Sequence, residues 1–170
     1  MRKISVSAVF CAVMLLCSSC GYHIGSTMHP QVNNIAIGKV INDTTVYNVS
    51  VQLQQALAEQ FMVDGCLKVV NLGEAQSIIY SRIVKIAYSS SSSRETAKGI
   101  YRAAEWKAVV SVEYSIILPG ERLPLISKKV VSGEAYFRQQ ADLDIQRRRA
   151  VQMALRNAAK KIVQNTTELW

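Results

Sequence analysis

The stretch Ala103–Leu118, AAEWKAVVSVEYSIIL, decides the fold. Its even-numbered residues, Ala104, Trp106, Ala108, Val110, Val112, Tyr114, Ile116 and Leu118, are apolar or aromatic, and Glu105, Lys107, Ser111, Glu113 and Ser115 stand between them. In a pleated strand successive side chains point to opposite faces. Alternation held over sixteen residues therefore predicts one long strand with a buried face and a wetter face.

Working outward, Ser77–Tyr88 reads as a second long strand, with Ile78, Tyr80, Val84, Ile86 and Tyr88 expected on one face. Pro119-Gly120 begins a turn, and Leu125–Phe137 is a third strand, which makes a meander. Upstream, Asn33–Ile41 alternates as a first strand, and the short apolar run Leu67–Val70 is another. Between those two, Val46, Val49, Leu53, Ala56, Leu57 and Phe61 recur at steps of three, four and seven. That spacing predicts an amphipathic helix, with Asn42-Asp43-Thr44-Thr45 as turn and N-cap cluster and Asp64-Gly65 as its C-terminal stop. After Asp142 a last helix carries Val151, Leu155, Ala158 and Ile162 on one stripe, with Arg149, Gln152, Arg156 and Lys160 on another. Two apolar helix stripes need a surface, and the strands offer one. The expected fold is an α+β two-layer sandwich: two helices on one face of a mixed or mostly antiparallel sheet of four to five strands.

The first twenty residues point to the compartment. Met1-Arg2-Lys3 is a basic head, and Ile4–Leu16 is an apolar run of signal-peptide length, too short to span a bilayer. Ser18-Ser19 precede Cys20-Gly21. Small residues before a cysteine at the end of such a run resemble a bacterial lipoprotein cleavage site, where the thiol is acylated. Cys17 stands where that pattern usually has Leu. The expected organisation is therefore residues 1–19 as a removed signal peptide, 20–32 as a lipidated N-terminus and short linker, and 33–170 as a single domain. Several acyl chains together hold a protein firmly at a bilayer. Gly21 in place of Asp favours the periplasmic side of the outer membrane. Of the four cysteines, Cys11 and Cys17 leave with the signal and Cys20 carries lipid, which excludes an internal disulfide through Cys66. Cys66 itself reads as a buried, inert thiol.

The charge is +8, and loss of Arg2 and Lys3 with the signal leaves 18 basic residues against 12 acidic ones, or +6. In that compartment a basic surface suits anionic lipid, lipopolysaccharide phosphate or an acidic partner, and does not suggest nucleic acid. Both histidines, His23 and His29, lie in the linker, so neither a metal site nor a base–nucleophile constellation is expected. No cofactor and no enzymatic activity follow from these residues.

The chain as a whole, from Cys20-Gly21-Tyr22-His23 through Asn34-Ile35-Ala36-Ile37, the Asn42 turn, the helix Gln52–Phe61, Asp64-Gly65 and Glu74-Ala75-Gln76 to the C-terminal helix, resembles the LptE family. It departs from the family at Gln76, where Asp is usual, and at Thr45-Val46. The resemblance implies a non-enzymatic outer-membrane lipoprotein that plugs the lumen of an LptD-type β-barrel and contacts lipopolysaccharide in transit. A different class remains open: an activator of a peptidoglycan synthase, which needs a long spacer after the anchor. Here about eleven residues separate Gly21 from Val32, a reach on the order of 40 Å at ~3.3–3.6 Å per residue. A lipid-binding carrier is a third reading.

Phosphates on such a glycolipid are natural partners of Lys and Arg. The candidates are Arg94, Lys98 and Arg102, expected on a flexible loop after the serine tract Ser89–Ser93, and Lys128 and Lys129 on the next hairpin, expected alongside. Solvated surface is the plain alternative for both groups. Arg149, Arg156 and Lys160 read as the wet face of a helix, and Tyr101, Trp106 and Tyr114 as core packing.

Overall fold

A computed structural model describes residues 32–95, 101–138 and 142–167, with side chains described outside 92–95 and 101–104. In chain order the elements are β1 (Asn34–Asn42), α1 (Val49–Asp64), β2 (Lys68–Val69), a 3-10 turn (Leu72–Glu74), β3 (Ser77–Glu95), β4 (Tyr101–Ile117), β5 (Ile126–Phe137) and α2 (Leu143–Thr167). The five strands form one sheet in the order β2-β1-β3-β4-β5. β1 runs parallel to both β2 and β3, and β3, β4 and β5 form an antiparallel meander. This is the expected α+β sandwich.

β4 lies between β3 and β5. Ala108, Val110, Val112, Tyr114 and Ile116 are all buried beneath the helices, as the alternation predicts. From α1, Val49, Leu53, Ala56, Leu57 and Phe61 pack over β1 and β2 and against α2, and from α2, Val151, Ala154, Leu155, Ala158 and Ile162 pack over β4 and β5. Each fully buried side chain of this size stabilises the fold by roughly 1.5–3 kcal/mol. Gly65 ends α1 with φ 72°, and its N–H donates to the Phe61 carbonyl at 3.0 Å. A left-handed C′ residue of this kind favours glycine. Gly120, at φ 94°, makes the turn out of β4 after Pro119.

Three expectations are corrected. First, the start of α1 is Asn48, in a left-handed conformation with no side-chain cap bond, so Val46 precedes the helix. The Asn42 carboxamide instead closes its own turn: Thr44 N–H donates to Asn42 Oδ1 at 3.0 Å, and Asn42 Nδ2 donates to the Val46 carbonyl at 2.9 Å. A short amide side chain at a strand end satisfies its neighbours locally, which competes with helix capping.

Second, the face of β3 changes phase. Ile79, Ser81 and Ile83 pair with Ile116, Tyr114 and Val112 on the helix side and are buried, whereas Tyr80 and Val84 are 42% and 46% exposed on the bare side. A bulge between Ile83 and Lys85 inserts Val84 as an extra residue. Beyond it, Ile86 and Tyr88 lie opposite Val110 and Ala108, on the helix side. The single stripe read from Ile78 to Tyr88 is thus two half-stripes on opposite faces, because one inserted residue inverts a period-two pattern.

Third, the serine tract is strand. Ser89–Ser93 lie within β3 and pair with the first half of β4. The tract contains no Gly, Pro or Asn to turn the chain, and a two-stranded ribbon wet on both faces accepts hydroxyl side chains. Cys66 is half-buried beside the start of β2.

The two outer edges of the sheet differ. At β5, α2 rides close over Gly133: a Cβ there would overlap the Ala154 carbonyl and the Ala158 amide and lie 2.9 Å from the Ala158 Cα. That approach lets Asn157 Nδ2 donate to the Glu134 carbonyl and Lys161 Nζ to the Ser132 carbonyl, each at 2.8 Å. At the other edge, β2 covers only the start of β1, at Asn34 and Ile35.

Candidate functional site

β5 pairs with β4 only as far as Phe137 opposite Trp106. The remaining residues of β4, Tyr101–Glu105, pair with β3 alone and form a two-stranded arm beyond the helices. At the root of that arm the sheet ends in aromatics on its helix side. The Tyr88 and Phe137 rings meet edge-on, 6.2 Å apart at 87°. The first turns of α2 bring Arg147 over Tyr88, its guanidinium carbon 5.6 Å from the ring centroid. A cation above a ring face is attracted by the ring quadrupole. Burial pushes the Tyr88 hydroxyl above its usual value of 10.0, against the opposing pull of Arg147.

Beside these rings, where β5 meets α2, lies a cleft of about 350 Å³ walled by Glu105, Tyr136, Phe137, Arg138, Gln146 and Arg149. Arg147 lies next to it over Tyr88, whereas Arg148 turns towards Tyr47 and Gln52 at the start of α1, its Nε donating to the Asp144 carbonyl at 3.4 Å. Two N–H donors in this region, Arg147 Nε and Trp106 Nε1, are buried with no acceptor among the described residues. Buried donors of this kind are ordinarily paired. The Arg138 and Arg149 side of the cleft suits a ligand rich in acceptor oxygens, and the aromatic floor suits its apolar or ring portions.

The sequence candidates fall at two distant places. Arg94 faces Arg102 across the arm by backbone register. Lys98 and Cys20 lie outside the described residues. Lys129 faces Tyr114, twelve residues along β4 from Arg102, about 40 Å at ~3.3 Å per residue. Lys128 and Lys129 therefore do not lie alongside the first group, contrary to the expectation; they occupy the opposite end of the sheet. Both are exposed, and Lys128 takes φ 41° at an irregularity in the strand, its N–H donating to Ser115 Oγ at 3.0 Å. Arg138, Arg147 and Arg148 escaped the sequence reading. The run Gln146-Arg147-Arg148-Arg149 was the available signal, since three adjacent cations near a helix N-terminus oppose the helix dipole.

The face of the sheet away from the helices is a second surface. A groove of about 320 Å³ there is lined by Lys39, Ile41, Tyr80, Arg82 and Glu113. Tyr80 lies over Gly38, where a Cβ would come within 2.8 Å of the ring. Arg82 pairs with Asp43 at 3.0 Å, and Lys107 with Glu134 at 3.3 Å. Among the described residues no group of His, Cys, Asp and Glu could hold a metal, and no helix is long and apolar enough to cross a membrane.

No protein-family model and no curated protein matches the chain. Solved structures do resemble it. The hypothetical protein CT253 from Chlamydia trachomatis aligns with TM-score 0.55 and 7% identity over 80% of this chain and 96% of that one. Protein XCC0632 from Xanthomonas campestris aligns with TM-score 0.54 and 10% identity over 84% and 93%. The PelC dodecamer subunit from Paraburkholderia phytofirmans aligns with TM-score 0.52 and 10% identity over 84% and 94%. At such identities the likeness is one of fold: the α+β sandwich of this chain recurs nearly whole in proteins from three different bacteria.

Proposed function

We propose that this chain is a lipid-anchored envelope protein that acts by binding, not by catalysis, as the assembly and plug subunit of an LptD-type β-barrel in lipopolysaccharide transport to the outer membrane. The LptE-like sequence features and the lipoprotein-type Cys20 support the membrane and the partner. The site supports the cargo, and one observation carries it: Arg147 stacked on Tyr88, its buried Nε without an acceptor among the described residues, beside a cleft walled by Arg138 and Arg149. Phosphates on a glycolipid supply the missing acceptors, and charge-assisted bonds to arginine are the strong ones. The bare sheet face, mixing Tyr80, Arg82, Glu113 and Ser115, suits contact with the polar wall of a barrel lumen. Tethering holds the domain near its partner at high effective concentration.

The test is purification of the tagged chain from gently solubilised envelopes and identification of what accompanies it. A large β-barrel is the expected result. A peptidoglycan synthase in its place would overturn the proposal in favour of the activator class.

A further inference from the structure

The unequal treatment of the two sheet edges carries an inference that does not depend on which partner the chain has. Val70 N–H donates to the Ile35 carbonyl at 3.0 Å, so Ile35 faces β2. Ile37, two residues on, faces the same way. Farther along, Asp43 N–H donates to the Ile83 carbonyl at 3.0 Å, which turns Ile41 and Asp43 towards β3 and leaves Val40 and Asn42 facing outward. Among the described residues no backbone group pairs with these outward N–H and C=O groups. At the other edge of the same sheet, Asn157 and Lys161 engage the carbonyls of β5. One edge is blunted and the other stands open.

An open edge is a template for another strand. We propose that Ile37–Asn42 of β1 is a strand-addition site, occupied by an extended segment of a partner protein carrying an acidic residue opposite Lys39. Charge selects this occupant over a second copy of the chain. Lys39 is exposed midway along the open stretch, and Lys68 is exposed on β2 at its foot. Asp43, at its upper end, is already committed to Arg82. Two copies pairing antiparallel through this short stretch would bring Lys39 near its own counterpart, and like charges directly opposite in a ladder are destabilising. The processed chain, at +6, repels itself further. An acidic strand meets neither obstacle.

Hydrogen exchange on the full-length protein, free and in the complex recovered from envelopes, tests this whatever the partner proves to be. Exchange over residues 37–42 is expected to slow at least tenfold in the complex, with residues 130–134 of β5 unchanged. Lys39→Glu is expected to weaken the complex about five- to tenfold, and Lys160→Glu on α2 to leave it within twofold. Unchanged exchange at 37–42, a dimer of the chain by sedimentation, or indifference to Lys39→Glu overturns the inference. A peptidoglycan synthase as partner with residues 37–42 protected would overturn the proposed function and leave strand addition standing.

Discussion

The guanidinium of Arg147 lies 5.6 Å above the ring of Tyr88, and the ring in turn meets Phe137 edge-on. The pair joins α2 to the end of the sheet where the arm begins, and Arg147 Nε is buried without an acceptor among the described residues. If that donor serves a phosphorylated glycolipid, Arg147→Ala weakens lipopolysaccharide binding about tenfold, the scale of one hydrogen bond to a charged group. Arg94→Ala with Lys98→Ala weakens it as well, and the distant pair Lys128→Ala with Lys129→Ala changes it less than twofold. Calorimetric titration of the purified variants, with circular dichroism to confirm the fold, separates these outcomes.

Two tyrosines set an alkaline limit on stability. Burial raises the pKa of Tyr88, with Arg147 opposing, and burial raises that of Tyr114, with Asn165 and Thr166 opposing. Each folded tyrosine holds its proton more tightly than the unfolded one, whose value is 10.0. Their contribution is intact below pH 10 and is lost as pH rises through the folded values. Urea midpoints are therefore expected to fall above pH 10, and Tyr88→Phe with Tyr114→Phe to flatten that fall. An unchanged slope in the double variant would exclude both groups as its source.

Gly133→Ala tests the seat of α2. The added methyl has no room against the backbone at Ala154 and Ala158, so the helix must move off β5. Overpacking of this kind costs about 1–3 kcal/mol, and displacing Asn157 and Lys161 from the strand carbonyls adds to it. A thermal or urea unfolding curve reads the loss. Gly73→Ala, where a Cβ meets nothing within 4 Å, is the matched control and is expected to be near neutral.

The proposed lipid attachment at Cys20 has its own readout. Cys20→Ser is expected to move the chain from the membrane pellet to the soluble periplasmic fraction and to abolish incorporation of labelled palmitate. Retention in the pellet with no label incorporated would mean that the partner or an uncut Ile4–Leu16 segment, not the lipid, holds the domain at the membrane, and the mass of the product separates the two.

Much of the fold was legible because the hydrophobic pattern determined it. The even-numbered residues of β4 from Ala108 to Ile116 and the stripes of Val49–Phe61 and Val151–Ile162 are buried where their periods place them, with Trp106 and Leu118 partly buried at the two ends of the first. What escaped depends on events that leave no periodic trace. A one-residue bulge at Val84 inverts the face of β3, and an amide turn at Asn42 takes over the role expected of a helix cap. Serines zip into a ribbon because a partner strand is present. The candidate site was half visible for the same reason. Arg94 and Arg102 stood out by composition, but the convergence of Arg147 with Tyr88 and Phe137 joins residues roughly fifty positions apart in sequence, and only the antiparallel register brings them together.

The bulge yields the sharpest contrast between reading and structure. By alternation alone, Val84 belongs to the core stripe with Tyr80 and Ile86, and Ile83 belongs outside. In the folded chain Ile83 is fully buried against Val112, and Val84 is 46% exposed on the opposite face. Truncating a buried isoleucine to alanine costs about 2–5 kcal/mol through lost transfer energy and the cavity left behind. Truncating a half-exposed valine on the bare face is expected to cost less than about 1 kcal/mol, the range of surface substitutions and of β-propensity. Ile83→Ala should therefore lower the urea midpoint by at least twice as much as Val84→Ala. The reverse order would mean that β3 runs without its bulge, with Tyr80 and Val84 packed under the helices and the face assigned here to a partner turned inward.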